Sequence, residues 1–329
     1  MTGAVLAYRT LGLGDLFTAV PALRGLRRAF PDRDLVLATP SWLAPLVDLI
    51  DAVDRLRVTP ERGSVTGRFD VAVNLHGRGP QSTQIVADVE PGRLIAFDAS
   101  GVEWRADEHE VHRWCRLLQE HGIACDPTDL DVPIPHADVA RGVTVVHVGA
   151  KAPARRWVPA RFAAVARALP DVVITGDDDE RPTAERVAAE AGLSDDRVLA
   201  GRVDLREFAA LVGHARAVVT GDTGVQHLAT AFRTPSVVLF GPVPPSEWGP
   251  PPERTEHIAL WAGRRGDPHG RRTDPGLLAI GVEDVLAAYE TLADRGHVRD
   301  RFVHRARMRD DGVRRTFDAN DGERPRGKQ

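Results

Sequence analysis

The segment at residues 218–242, VVTGDTGVQHLATAFRTPSVVLFGP, places an acid, a hydroxyl and an imidazole between two short apolar runs. The run VVT predicts the end of a buried strand, and VQHLATAF predicts a helix directly after the turn. The first N–H groups of a helix have no partner within it and attract anions. Asp222 and Thr223 also fit an ordinary N-cap, whereas His227 lies one turn into the helix and can face the same ligand. The pattern therefore predicts an anion site with Gly224 at the start of the helix.

A second turn, near the beginning of the chain, carries a carboxylate. Asp15 follows the turn at 12–14 and the apolar run AVLAY, and it opens a predicted helix over 15–30. An acid at this position fits a helix cap, and a carboxylate that faces a cleft fits a proton acceptor for a hydroxyl group. Both interpretations stay open on the residues alone. The apolar face predicted for this helix consists of Leu16, Val20, Leu23 and Leu26.

The loop GAKAPARRWVP brings three cations close to the start of a predicted helix over 160–169. These cations are Lys151, Arg155 and Arg156. Positive charge beside a departing diphosphate stabilises the transition state, because negative charge grows there as the bond breaks. Ordinary surface charge is the alternative interpretation of this loop.

The acidic run ITGDDDERPTAER contains carboxylates at the spacing that binds divalent cations in other proteins. However, these acids follow a strand and begin a helix, where negative charge complements the helix dipole. We therefore predict no metal site here. Instead, we expect Glu180 or a neighbouring aspartate to meet the base or ribose of a nucleotide.

Short apolar strands alternate with helical patterns along most of the chain, which predicts parallel sheets covered by helices on both faces. The proline- and aspartate-rich stretch 124–141 interrupts this alternation and predicts a linker. We predict an α/β fold of two Rossmann-like, doubly wound domains facing across a cleft, because ligands bind at the carboxyl ends of such sheets. The predicted boundaries are 1–130 for the first domain, 131–295 for the second, and 296–329 for a basic, flexible tail.

Composition limits the class of partner. The formal net charge is −4, which gives no overall attraction to nucleic acid or to anionic lipid. The beginning of the chain lacks a signal-peptide pattern, and no stretch is apolar for long enough to span a membrane. We expect a cytoplasmic protein with no nucleic-acid partner and at most peripheral membrane contact through the basic tail.

Three segments together resemble glycosyltransferase family 9, whose best-known members are heptosyltransferases of the lipopolysaccharide core. The first is GDTGVQHLATAFRTPSVVLFGP, and the second is RTLGLGDLFTAVPALRGLRRAFPD near the beginning of the chain. The third, HVGAKAPARRWVPARFAAVARAL, resembles the family's phosphate-contacting loop. The three segments fall in both halves of the chain and in the family's order.

The resemblance implies a GT-B fold and inverting, metal-independent transfer of a sugar from a nucleotide-diphosphate donor to an acceptor hydroxyl. It implies no cofactor other than this co-substrate, with ADP-heptose as the donor. The acceptor is expected to be a glycan, a lipid-linked molecule or a small molecule. The first domain would bind the acceptor and supply Asp15 as the general base, and the second would bind the donor. The donor-binding residues implied are Lys151, Arg155, Glu180, Asp222, Thr223, Gly224 and His227.

Arg155 departs from the family pattern, which has a lysine two residues before the tryptophan. Here one extra residue also separates Trp157 from Pro159. Arginine keeps the charge and adds a forked geometry suited to phosphate.

Two other functions fit the same two-domain cleft. One is a nucleotide-sugar epimerase, which would change the sugar without an acceptor. The other is a non-catalytic protein that binds a nucleotide sugar without turnover. Asp15 argues against the second, because a pure binding protein needs no base beside the acceptor.

Overall fold

The computed structural model describes residues 3–99 and 101–298. The predicted tail begins at Gly296, so all of it beyond Val298 lies outside the described residues.

The first half of the chain forms an N-terminal lobe around a parallel sheet. The strand order is β3-β2-β1-β4-β5, with β1 at the centre. The chain reverses direction across the sheet between β1 and β4, which makes that point the topological switch where doubly wound folds bind ligands. The strands are β1 Val5–Tyr8, β2 Leu35–Thr39, β3 Arg55–Val58, β4 Val71–Asn74 and β5 Arg93–Ile95. The helices are α1 Leu13–Thr18, α2 Val20–Ala29, α3 Ala44–Val47, α4 Gln81–Ala87 and α5 Glu110–Gln119.

The second half forms a C-terminal lobe with a different strand order, β10-β9-β8-β6-β7. Its switch point lies between β6 and β8. The strands are β6 Thr144–His147, β7 Val172–Thr175, β8 Ala217–Gly221, β9 Ser236–Phe240 and β10 His257–Trp261. The helices are α6 Pro159–Ala168, α7 Arg181–Ala191, α8 Leu205–Gly213, α9 Gly224–Ala231, α10 Pro245–Trp248, α11 Pro275–Ala279 and α12 Val282–Asp294.

Two local predictions need correction. The helix predicted over 15–30 is two helices, because α1 ends before Ala19 and α2 begins at Val20. Pro21 in the first turn of α2 lacks the N–H that a continuous helix requires, so the chain restarts there. The strand β10 was not predicted. It is a half-buried edge strand, and its pattern carries less periodic signal than the fully buried strands.

One apolar core extends through both lobes, and the C-terminal lobe has a second core of its own around α6 and α7. Alternate side chains of β1 point to opposite faces of the sheet, so that Val5 and Ala7 join this shared core while Leu6 and Tyr8 join a separate cluster. The shared core continues through α1 and α9 to the inner face of the second sheet, where it includes Val145. Contact between the lobes therefore does not depend on the linker alone. The four apolar residues predicted for the first helix are all buried in this core: Leu16, Val20, Leu23 and Leu26.

The segment 124–141 contains neither helix nor strand, as its composition predicts. Asp131 in this segment contacts the C-terminal lobe, because its carboxylate lies 2.7 Å from Arg233 and 2.7 Å from Arg254. Arg24 of α2 donates to its carbonyl oxygen at 2.8 Å. The linker is thus bonded to both lobes. The domain boundary at residue 131 remains a prediction.

None of the helices described within residues 3–298 combines the length and the hydropathy that crossing a bilayer requires.

Candidate active site

A cavity of about 980 Å³ lies between the lobes, at the carboxyl ends of both sheets. It touches the switch points of both, because turns following β1, β6 and β8 contribute to its wall. All eight residues predicted for the site line this cavity: Asp15, Lys151, Arg155, Glu180, Asp222, Thr223, Gly224 and His227. The geometry brings these residues together, while the roles predicted for them remain predictions.

On the N-terminal side, Asp15 lies in the first turn of α1 and is not its N-cap. The N-cap is Gly12, whose N–H donates to Asp15 Oδ2 at 3.1 Å. The other carboxylate oxygen, Oδ1, lies 3.2 Å from Arg9 Nη2. The side chain is 24% exposed, toward the cavity. Asp15 therefore helps to close the helix end and also presents a fixed carboxylate to the cleft.

Opposing effects act on the proton affinity of Asp15. Burial raises the pKa of its carboxyl group above the ordinary aspartate value, and the nearby Glu110 carboxylate raises it further. The Arg9 guanidinium and the Gly12 N–H lower the pKa. The net direction is upward, which makes the carboxylate a stronger base than an exposed aspartate.

On the C-terminal side, the helix α9 begins with an open end. Thr223 is the N-cap, yet its side chain makes no capping hydrogen bond, and its hydroxyl oxygen lies 3.2 Å from that of Thr220. Asp222 is also not used as a cap. Its Oδ1 accepts from Gln226 Nε2 at 2.9 Å, and its Oδ2 lies 3.3 Å from Arg155 Nη1. Thr223 therefore occupies the N-cap position, as one interpretation of the sequence had it, but neither Thr223 nor Asp222 caps the helix with its side chain. The first turn of α9 faces the cavity without a side-chain cap.

Asp222 is buried, with 3% of the residue exposed. Burial raises the pKa of its carboxyl group, while the charge of Arg155 and the hydrogen bond from Gln226 lower it. Arg155 ends a short 3-10 helix, Pro153–Arg155, in the loop after β6 and is half-buried beside the cavity. Lys151 lies exposed in the same loop, and its carbonyl oxygen accepts from Arg156 at 3.4 Å. Arg156 thus supports the loop, while Arg155 reaches the site.

Glu180 lies over the ends of β6 and β7 and is the N-cap of α7. Its Oε2 accepts from the Asp177 N–H at 2.9 Å, and the Glu180 N–H donates to Asp177 Oδ1 at 2.9 Å. A methyl group at Gly149 would lie 1.8 Å from Glu180 Oε2, so only glycine leaves room for the carboxylate there. Burial raises the pKa of Glu180, and the Asp177 charge adds to this effect. The acidic run therefore begins a helix, as predicted.

The two turns touch each other directly. A methyl group on Gly14 would lie 2.6 Å from His227 Cδ2, and one on Gly224 would lie 2.9 Å from Leu13 Cβ. Glycine at both positions thus permits the close approach of α1 and α9. Asp15 is the residue after Gly14, so this contact fixes the position of its carboxylate relative to the first turn of α9.

His227 stands at this contact, with its ring centroid 6.0 Å from that of Trp248. Burial lowers the pKa of His227 to about 3, and the charges of His109, Arg9 and Arg155 act in the same direction. The imidazole is therefore neutral near pH 7 and can donate one hydrogen bond, but it adds no positive charge.

Sequence reasoning missed several residues of the site. Arg9 contacts the Asp15 carboxylate, and Glu110 in turn pairs with Arg9. His147 and Phe208 line the cavity, with their ring centroids 5.9 Å apart. One signal was available for Arg9, since a charged residue directly after a central buried strand lies at the edge where ligands bind. Glu110 lies 101 positions from Arg9 in the sequence, and no strand end or turn beside it indicates that it belongs to the site.

Comparison with known proteins identifies the family. Residues 92–275 match the model of glycosyltransferase family 9 (heptosyltransferase). Lipooligosaccharide heptosyltransferase 2 of Haemophilus influenzae is 32% identical over 315 residues, covering 78% of this chain and 90% of that protein. Lipopolysaccharide heptosyltransferase 3 of Escherichia coli is 30% identical over 169 residues, covering 48% of this chain and 49% of that protein.

The solved structure of the ADP-heptose lps heptosyltransferase II of E. coli has the same fold. It superposes with a TM-score of 0.69 at 20% identity, covering 90% of this chain and 100% of that one. The two facing sheets are therefore the GT-B arrangement. The chain belongs to glycosyltransferase family 9 and is a nucleotide-sugar glycosyltransferase.

Proposed function

We propose that this enzyme transfers a heptose from ADP-heptose to an acceptor hydroxyl with inversion and without a metal ion. Asp15 takes the proton of the acceptor hydroxyl while that oxygen forms a bond to the anomeric carbon. The bond between the anomeric carbon and the diphosphate oxygen breaks at the same time, and its electron pair leaves on the diphosphate. The N-terminal lobe binds the acceptor, and the C-terminal lobe binds the donor.

The observation that carries this proposal is the single cavity with a held carboxylate on one side and an uncapped helix end on the other. The first supports a general base, and the second supports a cradle for negative charge. Their spacing is set by the contact of Gly14 with Gly224 and His227. A base and a leaving-group site held at fixed separation are what a single displacement requires.

The leaving diphosphate would meet three sources of stabilisation. The open end of α9 offers N–H groups at Gly224 and beyond, Arg155 offers a forked cation, and Lys151 lies at the rim. These groups support a mechanism in which protein cations and N–H groups, rather than a metal, neutralise the developing charge. Neutral His227 would add a hydrogen bond.

Inversion is supported by how the acids of the cavity are engaged. Retention by double displacement needs a second carboxylate as nucleophile beside the sugar. Asp222 is paired with Arg155 and Gln226, and Glu180 and Asp177 bond to each other's N–H groups. Asp204 is the N-cap of α8 and accepts from the Glu207 N–H at 2.8 Å. Asp15 is the acid placed beside the acceptor lobe.

The donor's base and ribose would lie beyond the diphosphate, toward β6 and β7. Three half-buried apolar residues, Val203, Leu205 and Phe208, line this end of the cavity and offer a flat surface for a base. Glu180 lies beside them as an acceptor for ribose hydroxyls. The name of the E. coli relative supports ADP-heptose in particular. The acceptor class is a glycan or lipid-linked glycan, reached in the cytoplasm or at the inner membrane surface.

The test begins with a thermal-shift panel of ADP, UDP and GDP and of their sugars, because a ligand that binds only the native state raises the melting temperature. ADP and ADP-heptose should stabilise most. ADP-heptose is then incubated with glycan and lipid-linked acceptors, with and without EDTA. We expect a glycoside of inverted anomeric configuration, formed equally fast in both.

The other outcomes identify the alternatives. Conversion of the donor to another sugar nucleotide without an acceptor would establish an epimerase. Binding without turnover against the acceptor panel would establish a non-catalytic protein. Loss of transfer in EDTA, restored by a divalent cation, would overturn metal independence while leaving transfer itself in place.

A further inference from the structure

A buried arginine contacts Asp15 and connects it to two other parts of the N-terminal lobe, α5 and the end of β4. Arg9 follows β1 and is 1% exposed. Its Nη2 lies 3.2 Å from Asp15 Oδ1 and 3.0 Å from Glu110 Oε1. The guanidinium also donates to Thr18 Oγ1 at 3.0 Å, and to the carbonyl oxygens of Asp15 and Leu75. One fully desolvated cation thus connects the first strand, the turn that carries Asp15, and α5.

The second carboxylate in this cluster belongs to Glu110, the first residue of α5. It is 4% exposed, and its Oε1 also accepts from Trp114 Nε1 at 2.9 Å. Its Oε2 accepts from Arg113. The Trp114 ring lies against the guanidinium of Arg9, with 4.9 Å from Cζ to the ring centroid. Both carboxylate oxygens of Glu110 therefore have hydrogen-bond partners, and the position of the side chain does not depend on Asp15.

A buried Arg9–Glu110 pair with these partners would be complete without Asp15. An ion pair with a structural role alone would not need the same Nη2 to contact the Asp15 carboxylate, which is 24% exposed toward the cavity. The arrangement does have a chemical consequence. Paired with Arg9 alone, the Asp15 carboxylate would be a weak base, because the positive charge lowers its pKa. The negative charge of Glu110 opposes this effect, so Arg9 can position Asp15 while the carboxylate still accepts a proton.

We propose that Arg9 and Glu110 are positioning residues that fix the Asp15 carboxylate and set the pH range in which it accepts the acceptor's proton. This inference rests on the proposed role of Asp15 as the base. The groups facing Asp15 from the elements packed around it are Arg9 after β1 and Glu110 on α5. His227 of α9 packs against the neighbouring Gly14.

The test compares Arg9→Gln, Arg9→Lys and Glu110→Gln with the parent. Glu108→Gln is the matched control. Glu108 lies two residues before the first residue of α5 and pairs with Arg116 at 2.7 Å, but it is not among the groups named as shifting the pKa of Asp15. The Asp15 carboxyl carbon is titrated by ¹³C NMR and assigned by its loss in Asp15→Asn. The pH profile of ADP release from ADP-heptose is measured in parallel.

Glu110→Gln should move the Asp15 titration and the acid limb of the pH profile to lower pH, because a like charge is removed. Arg9→Gln should move both to higher pH, because the attractive charge is lost. Arg9→Lys keeps the charge but loses the fork, so kcat should fall roughly tenfold or more while the donor KM stays near the parent value. Glu108→Gln should match the parent in every measurement.

Asp15 titrations that coincide in the parent and Glu110→Gln would overturn the proposal, as would titrations that shift while the pH profile of ADP release does not follow. If Arg9→Gln does not fold, the results for Glu110→Gln and Arg9→Lys still test the proposal. Full activity of Asp15→Asn would instead remove Asp15 from the mechanism, which is a separate failure of the proposed function.

Discussion

The helices α1 and α9 both follow the central strand of a sheet and both begin at a glycine-containing turn, yet their ends are finished in opposite ways. In α1, the third helical residue is Asp15, which accepts the N–H of its own N-cap. In α9, the third residue is Gln226, whose amide turns back to Asp222. The first helix end carries a negative charge, and the second keeps its N–H groups open. Similar turns thus present a carboxylate to the cavity in one lobe and a helix end without a side-chain cap in the other.

The largest expected effect comes from neutralising the acid of α1. Asp15→Asn keeps the shape and the oxygen that accepts from Gly12 N–H, but it removes the proton acceptor. We expect transfer to fall roughly 10²- to 10⁴-fold, the usual contribution of a general base. ADP affinity, measured by calorimetry, should stay within about threefold of the parent, a change of ~0.7 kcal/mol or less. A loss of ADP binding as large as the loss of rate would place Asp15 on the donor side and break the contrast between the two turns.

The next variant places a carboxylate at the N-terminus of α9, where α1 already has one. Thr223→Asp places a carboxylate at the N-cap, where it can accept the free N–H groups and repel the diphosphate. Like charges at such a site cost several kcal/mol, so we expect ADP affinity to fall roughly 30- to 100-fold. Thr223→Asn is the matched control, because it can cap the helix without adding charge. Equal affinities for Thr223→Asp and the parent would show that the diphosphate does not bind at α9.

Arg155 lines the cavity beside the proposed diphosphate site and pairs with the Asp222 carboxylate. In Arg155→Gln, Asp222 loses its cationic partner and the donor loses a charged contact, so ADP affinity should fall about tenfold, in line with ~1.5 kcal/mol for a hydrogen bond to a charged group. Arg155→Lys should recover most of this loss. Titration calorimetry measures both variants. Unchanged affinity in Arg155→Gln would assign this arginine to the support of Asp222 alone.

The last prediction concerns stability rather than rate or affinity, and it involves His227, which lies between the two turns. The folded pKa of His227 is lowered to about 3, so the unfolded chain binds a proton near pH 6.5 that the folded chain does not. This part of the stability is complete above pH 6.5 and is lost as the pH falls toward 3. His227→Asn should therefore lose less stability than the parent between pH 7 and pH 5, by roughly 2 kcal/mol. Urea unfolding at both pH values measures this difference. The exposed His112→Asn serves as control, and the same slope in all three proteins would contradict the burial of His227.

Much of the architecture follows from the sequence, because buried parallel strands are short, continuous apolar runs. The run VVT lies in β8, as predicted, and the predicted site residues line one cavity because they follow strands near the switch points. Most of what the sequence did not reveal depends on tertiary contact. The break at Ala19 has a local signal in Pro21. The pairing of Asp222 with Arg155 and the pairing of β10 with β9 depend on neighbours distant in the chain. Glu110 was missed for the same reason.

The apolar core shared by the two lobes has a thermodynamic consequence. Val5, Leu228 and Val145 belong to one buried cluster. Separating the lobes would therefore expose apolar surface of both lobes to water. Heat should therefore melt both sheets in one cooperative transition, even though each has its own strand order. The Asp15 carboxylate and the first turn of α9 should then keep their relative position for as long as the protein is folded.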